Sequence, residues 1–230
     1  MCSWQIDALA YNKMNTLHWH AVDADSFPLE LEAFPQLATK GAFAPKATYS
    51  VAEQEQIVEY ARQRGVRVLL ETDLPGHDTA WSEALPDLFI TCPNLDRGNF
   101  GGEQRVIDPT LNATWEFLDK FFEELSGRFP DRYLHLGGDE VNVGCFNASA
   151  SVRKWVAAQG GNATLADVYV YFETRVHALA AKHGKSVQTW HNAFQAVGTL
   201  TRNPQSLVIR SVHFSRVACA RRDCREGTPG

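Results

Sequence analysis

The sequence has little that would draw it to nucleic acid or hold it in a membrane. Its 22 lysines and arginines are outnumbered by 27 aspartates and glutamates, for a net charge of -5 and a pI near 5.9. Phosphate backbones require a basic stripe, and none is present. No run reaches the roughly 18 apolar residues that a bilayer-spanning helix needs, and the N-terminus lacks the basic-then-apolar layout of a signal peptide. Cysteine is sparse: Cys2, Cys92, Cys145, Cys219 and Cys224 fall in no CxxC or Cys/His spacing, which argues against a structural zinc site. No internal repeat or low-complexity segment stands out, and the glycines before the acids at 137–140 lack EF-hand spacing.

What is present suits a folded α/β protein. With 230 residues, 44% of them hydrophobic, the chain can bury a sizeable core in one large domain or two small ones. Apolar, β-branched runs alternate with segments of helical period, the pattern of βα units around a parallel sheet. Strands are expected at 16–22, 66–70, 132–136, 186–190 and 207–212, and helices at 50–64, 111–126, 165–183 and 149–159. Ser50 followed by Glu53 forms a capping box, and Gly65, Gly127 and Gly184 stand where helices should stop. The N-terminal segment places Trp4, Ile6, Leu9, Ala10 and Met14 at roughly helical spacing. Residues 216–230 are polar, basic and turn-rich and read as an irregular tail. Five strands are too few to close an eight-stranded barrel.

Polar side chains gather at the C-terminal ends of successive strands, where ligands bind in barrels and open α/β sheets. The first strand ends in HWHAVDAD (His18, His20, Asp23, Asp25), the next in ETDLPGH (Glu71, Asp73, His77), the next in YLHLGGDEV, and the fourth in TWHN (Trp190, His191, Asn192). Adjacent Asp139 and Glu140 suggest glycoside hydrolysis, yet neighbours cannot flank a sugar as an acid and nucleophile pair, whose carboxyls stand about 5 Å or more apart. A metal-dependent hydrolase is the alternative, because His18 and His20 at i and i+2 share a strand face and could chelate an ion with His77 and an Asp; His213 is a further candidate ligand. His135 suits a hydrogen-bonded core histidine, and Trp190 suits the core as readily as a sugar platform. Cys92 and Cys145 sit in loop-like segments beside strand ends, where either a disulfide or two free thiols fit. Three sequons, at Asn112, Asn147 and Asn162, point to glycosylation and the secretory route.

AYNKMNTLHWHAVDADSFP, GVRVLLETDLPGHDTAW and YLHLGGDEVNVGCF together resemble three catalytic-domain signatures of glycoside hydrolase family 20, the β-N-acetylhexosaminidases. They stand in family order and spacing, most like the eukaryotic lysosomal and secreted members. The resemblance implies a (β/α)8 TIM barrel, with residues 1–215 as its central part. It implies hydrolysis of terminal β-linked N-acetylglucosamine or N-acetylgalactosamine in which the substrate's own 2-acetamido oxygen is the nucleophile, the substrate-assisted exception to the two-carboxylate scheme. By the resemblance, Glu140 is the general acid/base, Asp139 holds the acetamido group, Asp23 and His77 support the acid, Trp190 lines the acetamido pocket, and Cys92 pairs with Cys145. No metal or other cofactor is implied. The partners would be N-acetylhexosamine-terminated glycans, glycolipids or chitin oligomers, with a dimer in the full-length parent and a lysosomal or secreted location.

The departures shape the expectation as well. The family's first strand, with its sugar-binding arginine, would precede residue 1, and later strands carrying a pocket tyrosine, a tryptophan and an acid are not found, so the barrel is expected to be incomplete here. Family members carry Trp-Gln-Glu where this chain has Trp190, His191 and Asn192, and Asp-Asp where it has Asp23 and Ala24. The alternative to an active glycosidase is an inactive truncated fragment or pseudoenzyme with weak sugar binding.

Overall fold

The structure is a computed structural model that describes residues 3–96, 103–193 and 206–209. In chain order it contains α1 (Ser3–Tyr11), β1 (Thr16–Val22), α2 (Pro35–Gly41), α3 (Val51–Arg62), β2 (Arg67–Thr72), β3 (Phe89–Asp96), β4 (Glu103–Ile107), α4 (Asn112–Arg128), β5 (Tyr133–His135), α5 (Ala150–Gln159), α6 (Leu165–Lys182), β6 (Ser186–Trp190) and β7 (Ser206–Ile209). The main sheet is parallel, in the order β1-β2-β5-β6-β7. Strands adjacent in that list follow one another along the chain with no reversal of direction across the sheet. A doubly wound sheet reverses at its switch point, whereas a βα barrel does not, so the arrangement is an arc of barrel. The expected tail, Cys2, Cys219, Cys224, His213 and the end of the expected last strand at 210–212 lie outside the described residues.

The helix signals act as the sequence indicates. Ser50 accepts from Glu53 N–H while the Glu53 carboxylate accepts from Ser50 N–H, completing the capping box of α3. Gly65 and Gly184, at φ +67° and +75°, take the left-handed turn that ends α3 and α6. Gly127 does not stop α4, which runs one residue further; the stop comes from Pro130, which forces Phe129 out of the helical region. In α1, Ile6 is buried but Trp4 is more than half exposed, and Met14, which lies beyond the end of the helix, is more than half exposed as well. Residues two apart on a helix point in opposite directions, so Ile6 and Trp4 cannot share one contact.

The antiparallel pair β3–β4 was not expected from the sequence. Pro93 and the glycine-rich connection hide its alternation, and Cys92 therefore lies within a strand rather than a loop. Beneath the sheet, Trp81 packs against Phe27, Phe117 and Phe121 with ring centroids 4.9–6.0 Å apart. Trp115 of α4 meets Phe172 of α6 at 5.6 Å. Among the described residues, no helix is long and apolar enough to cross a membrane.

Candidate active site

The C-terminal ends of β1, β2, β5 and β6 bring the polar clusters together. In the sheet, His20 is in register with Glu71, and Glu71 with His135, so three polar residues form one row across three strands. Pairing continues past the end of β5: Leu74 N–H donates to Leu136 O, and Trp190 N–H donates to Gly137 O. The chain then leaves the sheet through Gly137 and Gly138, at φ +61° and +81°. A β-carbon on Gly137 would stand 1.2 Å from Asp73 Oδ1, so only glycine fits there. Tyr169 of α6 ties the turn down by donating to Gly138 O at 2.5 Å, with buried Glu173 one helical turn away.

Glu140 itself has φ +54°, as does His77 at +52°. Left-handed backbone is costly for residues with a β-carbon and collects at functional sites. The local consequence is convergence. Ligand atoms of His77, Asp139 and Glu140 lie within 4.8 Å of one another, although adjacent strand residues would face opposite ways. His77 Nε2 stands 3.2 Å from Glu140 Oε2, within ion-pair range but not aligned as a hydrogen bond. His77 Nδ1 lies 3.0 Å from Asp23 Oδ1, which also accepts from Ala24 N–H. Glu140 is largely exposed, while Asp139 is half-buried with Oδ1 fully enclosed and without a partner among the described residues.

The electrostatics separate the carboxylates. Burial pushes Asp139 above the usual carboxylate range, partly offset by the nearby charge of His77. Asp73 is raised well above it by burial and by the charge of Glu71. Asp23 goes the other way: burial opposes its ionisation, but hydrogen bonds from His20, His77 and Ala24 hold it lowered. The Asp23 hydrogen bond outweighs burial at His77 and raises it to about 9.

Glu71 is the centre of the deeper layer. Its Oε2 lies 2.6 Å from His18 Nε2 and 3.0 Å from His20 Nδ1, and its Oε1 accepts from the Trp190 indole at 2.9 Å and stands 3.2 Å from His135 Nδ1. His18 and His20 do share a face, as a chelating pair would. In the His18–Glu71–His135 group, the Trp190 N–H already binds Glu71 Oε1 and the Gly137 N–H already binds His135 Nδ1, while His20 with Glu71 and Asp73, and His77 with Asp139 and Glu140, also bring ligand atoms within 4.8 Å of one another. Trp190 also packs against His135 in a tilted ring contact at 4.6 Å, so it serves the packing of this layer. His135 is fully buried as expected, but only Nδ1 has a hydrogen bond, from Gly137 N–H, and Nε2 has no partner among the described residues.

Cys92 and Cys145 form a disulfide joining β3 to the segment after Glu140. Asn112, Asn147 and Asn162 are all exposed. The hydroxyl of each sequon is also engaged locally, since Thr114 donates to Asp108 O, Ser149 caps α5, and Thr164 donates to Asp167 in a capping box on α6. Sequence reasoning assigned no role to Glu71, Tyr169 or Glu173. Glu71 was visible as a carboxylate inside a buried apolar run; Tyr169 carried no local signal, because its partner lies 31 residues away at Gly138.

Residues 1–216 match the family model described as glycosyl hydrolase family 20, catalytic domain. The chain is 37% identical over 192 residues to beta-hexosaminidase subunit alpha of Bos taurus, covering 82% of this chain and 36% of that protein. It is 37% identical over 189 residues to beta-hexosaminidase subunit beta of Homo sapiens, covering 82% and 34%. In structure it is similar to an exo beta-N-acetylglucosaminidase from Vibrio harveyi solved in complex with N-acetylglucosamine, with a TM-score of 0.78 and 25% identity, over 92% of this chain and 35% of that one. The chain thus spans about a third of the length of these relatives.

Proposed function

This chain belongs to glycosyl hydrolase family 20, and we propose that it removes terminal, non-reducing β-linked N-acetylhexosamine residues with retention, using the substrate's acetamido oxygen as nucleophile. Glu140 gives its proton to the glycosidic oxygen as the bond to the anomeric carbon breaks. The acetamido oxygen bonds to that carbon from the opposite face, while Asp139 accepts from the acetamido N–H and stabilises the oxazolinium-like intermediate. Glu140 then takes a proton from the water that opens the ring. Asp23 orients His77 beside Glu140, and Trp190 lines the acetamido pocket.

The observation that carries this reading is the convergence of Asp139 and Glu140 on one side, with Asp139 Oδ1 enclosed and without a donor among the described residues. Two carboxyls so placed suit neighbouring groups of one sugar and do not suit opposite faces of a ring. The Asp23–His77–Glu140 chain supports an active enzyme over an inactive homologue. The substrates follow as N-acetylglucosamine- or N-acetylgalactosamine-terminated glycans, glycolipids or chitin oligomers. The disulfide and the exposed Asn112, Asn147 and Asn162 support glycosylation and a lysosomal or secreted setting, and the naming of the bovine and human relatives as subunits supports a dimer.

The test is Glu140→Gln. Hydrolysis of poorly activated substrates should fall by roughly 10²- to 10⁴-fold, and that of aryl glycosides with good leaving groups far less, since those need little protonation. Equal losses on both would overturn the role, and loss of wild-type activity on EDTA treatment would restore the metal alternative.

A further inference from the structure

His20 occupies a position that the reaction above does not use. Its Nε2 lies 2.9 Å from Asp23 Oδ2 and its Nδ1 lies 3.0 Å from Glu71 Oε2. A neutral imidazole has one N–H, so one of these contacts would set a nitrogen lone pair against a carboxylate oxygen. The oxygens turned away from His20 are already filled, Glu71 Oε1 by the Trp190 indole and Asp23 Oδ1 by the Ala24 backbone N–H at 2.6 Å, which leaves Glu71 Oε2 and Asp23 Oδ2 to face the imidazole. Resting on the function proposed above, we propose that His20 and Glu71 are positioning residues of the acid–base relay, with His20 held as an imidazolium between two carboxylates so that Asp23 stays ionised and aimed at His77.

The relay then runs Glu71–His20–Asp23–His77–Glu140, alternating acid and imidazole from the floor of the site to its exposed rim. The groups facing His20 agree with this. On its own strand and loop stand His18 and Asp23; from β2 come Glu71 and Asp73, whose Oδ2 is 3.8 Å from His20 Nδ1; His135 stands behind Glu71 on β5. Burial alone would disfavour the cation, but the hydrogen bonds to Asp23 and Glu71 prevail and raise His20 to about 10. Glu71, opposed by burial, is held ionised by the donors around it, with His18 and His20 at 2.6 and 3.0 Å on Oε2. Neither His20 nor Glu71 touches the acid Glu140, so both act through Asp23.

Two measurements test this, and the first needs no turnover. Nitrogen-15 NMR of the histidine rings in the wild-type protein should show both His20 nitrogens protonated from pH 5 to pH 9. A single protonated nitrogen at pH 7 would overturn the proposal, since it would mean a neutral imidazole beside a protonated Asp23. The second is the pH profile of kcat/KM for His20→Phe. Removing an opposite charge this close should move the acid limb up by roughly one to three units, with kcat lowered and KM little changed. Glu71→Gln should instead leave the acid limb in place and let His20 lose a ring proton at lower pH in the same NMR titration. An acid limb that stays in place in His20→Phe would overturn the proposal, whereas a wild-type protein without hexosaminidase activity would defeat the function proposed above and leave the NMR result to decide the protonation of His20.

Discussion

The two ends of the parallel sheet are both rich in charge, and they treat it differently. At the N-terminal end Arg67 makes a two-pronged pair with Asp131 at 2.7 and 2.8 Å, Asp131 also accepts from Tyr133 N–H, and buried Lys185 donates to the carbonyls of Phe129 and Asp131. Each of these charges has its partners. At the C-terminal end Asp73 Oδ1, Asp139 Oδ1 and His135 Nε2 are buried without a partner among the described residues, and His77 and Glu140 have left-handed backbone. A buried polar atom without a partner costs on the order of 1 to 3 kcal/mol. One end of the sheet uses charge to hold the fold, and the other, on the function proposed above, holds charge for a substrate at some expense in stability.

Predictions can break that contrast. The largest effect should come from Gly137→Ala, because the added methyl collides with Asp73 and disturbs the turn that aims Asp139 and Glu140. A displacement near 1 Å at reacting groups costs about 100-fold, so kcat/KM should fall at least that far while the melting temperature drops by only a few degrees. Activity close to wild type would show that the turn does not set the geometry.

Next comes the pH dependence of stability, which should arise mainly at the C-terminal end. His20 and His77 are raised to about 10 and about 9, so their contribution is complete below about pH 6.5 and disappears as pH rises through those values. Asp73, raised by burial and by Glu71, works in the same direction, costing more as it ionises above its unfolded value near 3.8. Asp23 and Glu71, both lowered, contribute above about pH 4. Stability should therefore peak between about pH 4 and 6.5 and decline steadily to pH 10, read as the urea midpoint. A midpoint unchanged between pH 6 and 10 would contradict it. The Arg67–Asp131 pair stays charged throughout that range and should add nothing to the slope.

The smallest effect belongs to the N-terminal end. Lys185→Met leaves two carbonyls without their donor and should cost about 1 to 3 kcal/mol of stability, with kcat and KM per folded molecule unchanged. A changed kcat would mean that the two ends are coupled.

Much of this was legible in the residues. The HxH, ETDLPGH and GGDE clusters could be placed at strand ends because parallel strands are apolar along most of their length and change character abruptly where they stop. The β3–β4 pair was not legible, since Pro93 and the glycine-rich connection break the period-two pattern that marks a strand. Direction was harder than position. Asp139 and Glu140 face one site because Glu140 has a left-handed backbone, which the letters Asp-Glu do not encode. The joint hold of Asp23 and Glu71 on His20 depends on side chains 48 residues apart, and only the register of β1 against β2 reveals it.

The central claim is that Asp139 organises a nucleophile belonging to the substrate, and binding of a thiazoline analogue of the cyclised intermediate tests it most directly. Calorimetry should show that the protein binds the thiazoline far more tightly than N-acetylglucosamine, as expected for a mimic of a high-energy species, and that Asp139→Ala removes most of this advantage. Equal thiazoline affinity in the wild type and in Asp139→Ala would contradict the account.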